Sequence, residues 1–317
     1  MAMKKYSFLA MGLILGSSIF CQKAWPFNYD LNEKANIILN KAMEDATQKH
    51  KARLGVALVT ETGSGKIIAD SYLKNVEPLA PDDGMCCDSD YCINDVADMN
   101  FELKSLMYPL TVMIALEEGR LSSVDKLFES SPYCGLRDTH NFSDSLSVMK
   151  AFASSTNTVI ARLATDNMNY GTDADRERAA RQAVGIDVSS SPLEMLRLYD
   201  AIANGGRTDT TVLCSPSTAS ALRECLRESV SGQLGTAKYL RNAYVDIAAK
   251  TATDYAKIGD YYDRSTLCSW VAGYFPADNP RYTCIVYMQT PKEYASHSAM
   301  DVLKQFAIGI SASDDNR

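Results

Sequence analysis

Three short stretches of the chain carry the residue types of nucleophilic catalysis. "FELKSLMYPLTVMIALEEGR" presents Ser105 just ahead of a long apolar run, "AFASSTNTVIARLA" presents Ser155 and Asn157, and "DIAAKTATD" presents Lys250 and Thr251. A serine attacks only when a base stands ready to take its proton. Pro109 costs nothing in a first helical turn, and Gly119 closes the run, so Ser105 is placed at a helix entrance, near free backbone N–H groups. Alone it reads as a helix cap, and Lys250 alone as a lysine leaving a sheet. Residues at i and i+3 share a helix face, so position 108, a tyrosine, points the same way as Ser105.

The elements that would hold these residues follow from periodicity. Leu31, Ala35, Ile38, Ala42 and Ala46 recur at helical spacing. "LGVALVTETGSGKIIADSYL" gives two β-rich runs around Thr62-Gly63-Ser64-Gly65, a hairpin signal. Gly65-Lys66 is no phosphate loop, because Thr60 and Ile67 stand where its first glycine and its Ser/Thr belong. Residues 75 to 100 read as loop. From about 120 to 230 the chain is helical with short breaks; one helix opens at Ser191-Pro192 and ends at Gly205-Gly206. "VDIAAKTA", "LCSWVAGYF" and "RYTCIVYMQT" read as strands, which puts Lys250 and Thr251 at a strand end, and "PADNP" as a second hairpin. Residues 297 to 309 read as a closing helix. The economical arrangement is α+β: one antiparallel sheet of about five strands built from both chain ends, covered by helices, with an all-helical region over about 101–230 inserted between.

With 317 residues the chain is long enough for a sizeable core, and its net charge of −7 and pI near 5.1 exclude nucleic acid as the expected partner. Met1 to Lys5 is basic, and Tyr6 to Cys21 is an apolar run of about 16 residues, shorter than the ~20 of a spanning helix. Residues 1–27 therefore read as an export signal or short membrane anchor, with residues 28–317 as the folded domain. Export makes disulfides possible among the nine cysteines. Cys86, Cys87 and Cys92 crowd one acidic loop, where tying disulfides suit better than a metal, since no histidine is near. Cys268 and Cys284 read as small buried thiols within strands. His50, His140 and His297 sit in no triad-like setting and read as surface residues. No metal or cofactor is expected.

Ser105, Ser155 with Asn157, and Lys250 with Thr251, in this order and at this spacing, resemble the transpeptidase domain of penicillin-binding proteins. That family carries Ser-x-x-Lys at a helix start, Ser-x-Asn between helices and Lys-Thr-Gly on a strand. "SPLEMLRLYDAIANGG", "GTAK" and "WVAGYFPADNPRYTCIVYMQTP" resemble its connecting segments, so the likeness runs from about Leu31 to Ala307. It implies that Ser105 attacks the D-Ala-D-Ala carbonyl of a peptidoglycan stem peptide, or a β-lactam ring. Ser155 would relay a proton, Asn157 hold the substrate amide, Lys250 bias Ser155, and Thr251 bind the substrate carboxylate. Backbone N–H groups of Ser105 and Thr253 would form the oxyanion hole, and the donor peptide would lie along residues 250–254 as an added strand.

The sequence departs from that pattern twice. Tyr108 stands where the family has the lysine that takes the serine proton, and a phenol with a pKa near ~10 donates rather than accepts at neutral pH. Ala252 stands where the family has glycine, and its methyl would press on a ligand paired to the strand. The literal Ser-x-x-Lys strings Ser71/Lys74 and Ser147/Lys150 fall outside the pattern, and Lys104 adjoins Ser105 without facing it. Two functions follow: an exported, catalytically impaired protein that binds peptidoglycan or β-lactam, or an envelope or cell-division protein; and an active serine D,D-transpeptidase or carboxypeptidase acting through Ser105 with a modified base. A β-lactamase, or an unrelated use of the fold, is the remaining expectation.

Overall fold

Both glycines of the Thr62-Gly63-Ser64-Gly65 turn adopt positive φ, +75° and +67°, which only glycine does at no steric cost. The turn joins β2 (Leu54–Glu61) to β3 (Lys66–Lys74) as an antiparallel hairpin. The structure, a computed structural model, describes residues 28–74, 100–138, 145–242, 244–258 and 261–314. The acidic stretch with Cys86, Cys87 and Cys92, the N-terminal stretch with Cys21, and His140 lie outside the described residues.

The main sheet has the order β1-β3-β2-β10-β9-β8. β1 (Asn28–Tyr29) is a two-residue strand parallel to β3, and the other five strands are antiparallel. β9 (Tyr261–Phe275) and β10 (Tyr282–Pro291) flank the "PADNP" hairpin, and β8 (Ala248–Ile258) is an edge strand. Lys250 is therefore the third residue of its strand, and not at its end. The continuation "TDYAKI" lacks the apolar alternation of "VDIAAKTA", because an edge strand is solvated along one side and carries polar residues.

Alternation sorts the strands onto two cores. Ala57, Val59, Val286 and Met288 face α1 (Glu33–His50) and α8 (Ser298–Asp314), burying Leu39, Met43, Val302 and Phe306. Val56, Leu58, Ile285 and Tyr287 face the inserted helices, burying Leu196 and Tyr199. Each large apolar side chain taken fully from water stabilises the fold by about 1.5–3 kcal/mol, so both layers are firmly attached to the sheet.

Between β3 and β8 the chain builds α2 (Tyr108–Glu117), α3 (Val148–Ser154), α4 (Asn157–Thr165), α5 (Asp173–Ala183), α6 (Pro192–Ala203) and α7 (Pro216–Ser231). Ser191 caps α6 in a full capping box with Glu194, with Pro192 in its first turn. The inserted region is not wholly helical. β4 (Phe101–Glu102) pairs with β7 (Ser189–Ser190), and β5 (Leu127–Glu129) with β6 (Ser145–Ser147).

Two smaller expectations need correction. His50 is buried, its ring nitrogens each 2.6 Å from Tyr294 O and Asp301 Oδ2; a histidine in the last turn of a helix looks solvated until the packing of α8 against α1 covers it. His297 is exposed as expected. Cys284 is a buried free thiol, and Cys268 a half-buried one that accepts from the Tyr287 hydroxyl. Among the described residues no cluster of metal-ligating side chains occurs, and no helix is long and apolar enough to cross a membrane.

Candidate active site

Ser105 does not cap a helix. It lies within a 3₁₀ turn, Lys104–Met107, that runs straight into α2, and Oγ donates to the main-chain oxygen of Thr251 at 2.9 Å, across to the edge strand. The turn is anchored from behind. Lys104 has φ +47°, its N–H donates to Gly185 O at 3.0 Å, and a Cβ on Gly185 would come within 2.1 Å of Lys104 O. Gly185 is thus the close approach that sets the position of Ser105. The Lys104 side chain turns away to ion pairs with Glu102 and Asp254, at 2.9 and 2.7 Å, so it does not serve Ser105.

Ser155 sits between α3 and α4 in a left-handed conformation, φ +58°. Lys250, fully buried, extends from β8 to place Nζ 2.5 Å from Ser155 Oγ and 2.9 Å from Thr251 O. Its Nζ also lies 5.3 Å from the Tyr108 ring centroid and 5.9 Å from that of Phe152. Burial brings the Lys250 pKa down to about 7. Thr251 O accepts from both Ser105 and Lys250, so this carbonyl points out from the open edge of β8. Period-two alternation puts the N–H and C=O of Thr253 on that same edge, and Thr253 is exposed. The Thr251 hydroxyl donates to Thr236 Oγ1 at 2.8 Å. Ala252 shares the face of Lys250 and is buried among the inserted helices.

Tyr108 occupies the centre of this arrangement. It is fully buried, its hydroxyl donates to Asn157 Oδ1 at 2.8 Å, and its ring meets Phe152 edge-on at 6.1 Å. Burial first, and the negative charge of Asp138 second, hold the phenol pKa well above its usual value. Tyr108 is a proton donor at any working pH and offers Ser105 no base.

The structure therefore brings Ser105, Ser155, Asn157, Lys250, Thr251 and Tyr108 into one cluster between β8 and the entrances of α2 and α4. The two literal Ser-x-x-Lys strings are elsewhere: Ser71 donates to Asn40, and Ser147 caps α3 by accepting from the Lys150 N–H. Three supporting residues had no sequence signal. Asp138 caps α4 from a distance, accepting from the Asn157 N–H at 2.5 Å and the Thr158 hydroxyl at 2.5 Å. Phe152 walls Lys250, and Gly185 backs the Ser105 turn. Thr236 falls in "GTAK", whose likeness to the family was its only signal.

Residues 55–307 match the family model described as the penicillin binding protein transpeptidase domain, and the chain belongs to that family. The fold is similar to solved structures of such domains. One is the apo transpeptidase domain of Burkholderia pseudomallei penicillin-binding protein 3, at 20% identity over 90% of this chain and 96% of that one, TM-score 0.73. Another is Mycobacterium tuberculosis penicillin-binding protein 3 complexed with aztreonam, at 19% identity over 90% and 78%, TM-score 0.75. A third is the transpeptidase domain of a Legionella pneumophila D,D-transpeptidase, at 18% identity over 90% and 99%, TM-score 0.66. No curated protein matches the sequence.

Proposed function

We propose that this protein is an exported, envelope-facing member of the family that binds the peptidoglycan stem peptide, and β-lactams as its mimics, with acyl transfer at Ser105 impaired. One observation carries the reading: the phenol of Tyr108, committed to Asn157 Oδ1 within the core, fills the place of the base. Removing a positioned general base costs on the order of 10²–10⁴ in rate. The ligand-facing parts support retained binding. The open edge of β8 offers the main chain of exposed Thr253 for strand addition, and the paired hydroxyls of Thr251 and Thr236 suit a substrate carboxylate. Residues 1–27 serve in this reading as the export signal or anchor, and the folded domain begins near residue 28.

A second reading, an active D,D-transpeptidase or carboxypeptidase with a modified base, is favoured by a different observation. Lys250 Nζ and Ser105 Oγ share the acceptor Thr251 O, each at 2.9 Å, so a lysine stands close to the nucleophile. Labelling with a fluorescent penicillin, beside retention on purified peptidoglycan, separates the two. Retention with little labelling at Ser105 supports the impaired binder. Rapid Ser105-dependent labelling establishes the active enzyme, and absence of both overturns the ligand class.

A further inference from the structure

Ser105 has no base, yet the cluster contains a lysine placed to be one, and it is aimed at a different serine. Among the described residues the hydrogen-bond partners of Lys250 Nζ are Ser155 Oγ at 2.5 Å and Thr251 O at 2.9 Å, both uncharged. We propose that Ser155, with Lys250 as its general base, is the hydroxyl of this cluster that accepts an acyl or phosphonyl group.

Four observations point the same way. Burial of Lys250 in the walls of Tyr108 and Phe152 makes the neutral amine populated near pH 7, and a neutral amine can take a proton. Ser105 spends its hydroxyl proton on a main-chain carbonyl, which has no useful basicity. Ser155 is half-buried and held at φ +58°, a conformation that costs a non-glycine residue energy and concentrates at functional sites. Ser154, its neighbour, is by contrast buried and donates to Lys150 O within its own helix. Asn157, two residues beyond Ser155, accepts from Tyr108 through Oδ1, which leaves its Nδ2 as a donor for an acyl oxygen. The pairing of serine with lysine alone is a known form of the activated nucleophile.

The step balances without a co-reactant. Ser155 Oγ attacks the carbonyl carbon of a β-lactam as its proton passes to neutral Lys250 Nζ. The tetrahedral adduct collapses with breakage of the lactam C–N bond, and the ring nitrogen takes the proton from the Lys250 ammonium, leaving an ester on Ser155. With a fluorophosphonate, the Oγ–P bond forms, the P–F bond breaks, fluoride leaves and the proton stays on Lys250. Only the β-lactam arm rests on the ligand class proposed above.

The test uses the full chain with benzylpenicillin and, separately, a fluorophosphonate, from pH 6 to pH 8. Trypsin cuts after Lys104, Arg120, Lys150 and Arg162, so residues 105–120 and 151–162 fall in different peptides, and fragmentation assigns Ser154 or Ser155. The expected adduct is on Ser155, forming about 10-fold faster at pH 8 than at pH 6, as a base with a pKa near 7 requires. It should vanish in Ser155→Ala and in Lys250→Arg, whose guanidinium stays charged. Should Lys250→Arg not fold by circular dichroism, the wild-type pH profile and adduct position still decide. An adduct on Ser105 alone, or no fluorophosphonate adduct on Ser155, overturns the inference. Fluorophosphonate at Ser155 without penicillin adduct or peptidoglycan retention upholds it and overturns the ligand class. Peptidoglycan retention with Ser155 unmodified by either reagent does the reverse.

Discussion

The hydroxyl of Tyr108 donates to Asn157 Oδ1 at 2.8 Å in a fully buried setting, tying the entrance of α2 to the entrance of α4. The tyrosine is thus a structural link where the family's pattern has a base. Tyr108→Phe keeps the ring against Phe152 and leaves the Asn157 oxygen without its donor. It should destabilise the protein by about 1–2 kcal/mol, seen as a lowered urea midpoint, while penicillin labelling at Ser105 stays at its wild-type level. A rise in that labelling would show that the phenol restrains Ser105 in some other way.

Gly185 should tolerate no side chain. With φ +75° and Lys104 O only 2.1 Å from where a Cβ would stand, Gly185→Ala must push the Ser105 turn outward. A loss of more than ~2 kcal/mol by thermal or denaturant unfolding is expected. Hydrogen exchange should speed up in residues 104–108 before the rest of the core. Unchanged stability would mean that the turn is free to move, contrary to its role as a fixed platform.

Lys250 links stability to pH. Its folded pKa, about 7, lies below the unfolded value of 10.5. Between these values the unfolded chain holds the proton and the folded one does not, so stability rises as pH rises from 7 towards 10.5. Relative to Lys250→Met, which has nothing to titrate there, the wild type should gain about 2–3 kcal/mol from pH 7 to pH 9. Urea titrations at both pH values measure it, and parallel profiles would refute the buried-amine account.

Much of this arrangement was legible in the sequence, and the misses share a physical cause. The hairpins, the Ser191-Pro192 helix start and the serine, asparagine and lysine positions are encoded in neighbouring residues, so periodicity, caps and motif likeness found them. Ser105 bonds to Thr251, Asp138 caps α4 from outside that helix, and His50 meets Asp301 of α8. These contacts join distant parts of the chain, and local pattern carries no trace of them. A serine at a helix mouth and a histidine in a last turn then default to the cap and the surface. The polar edge of β8 lacks the apolar alternation of a strand, so the sequence by itself puts Lys250 near a strand end.

Asp200 gives a second pH signature, with the opposite sign. Buried on α6, it accepts from Thr60 Oγ1 and the Gly63 N–H, each at 3.1 Å, holding the β2–β3 turn to that helix. Burial outweighs these bonds and raises its pKa from 3.8 to about 6. The folded state therefore binds the proton more tightly, and the stability this gives is full below pH 3.8 and lost as pH rises through about 6. Against Asp200→Asn, the wild type should lose about 2 kcal/mol between pH 4 and pH 7. A constant difference across that range in paired urea melts would show the carboxyl to be ordinarily ionised.

The central claim is that the missing base limits acylation at Ser105, and the most direct measurement is the rate of penicillin adduct formation at that residue in Tyr108→Lys. A lysine at 108 would lie beside buried Lys250, where desolvation and the like charge lower its pKa towards that of a working base. Mass spectrometry of the 105–120 peptide should show the Ser105 adduct forming at least ~10-fold faster than in the wild type. Ala252→Gly alone should do less, since it restores close approach and no proton transfer. If the Tyr108→Lys, Ala252→Gly double variant folds and never forms a Ser105 adduct, the cluster has diverged beyond these two positions and the claim is contradicted.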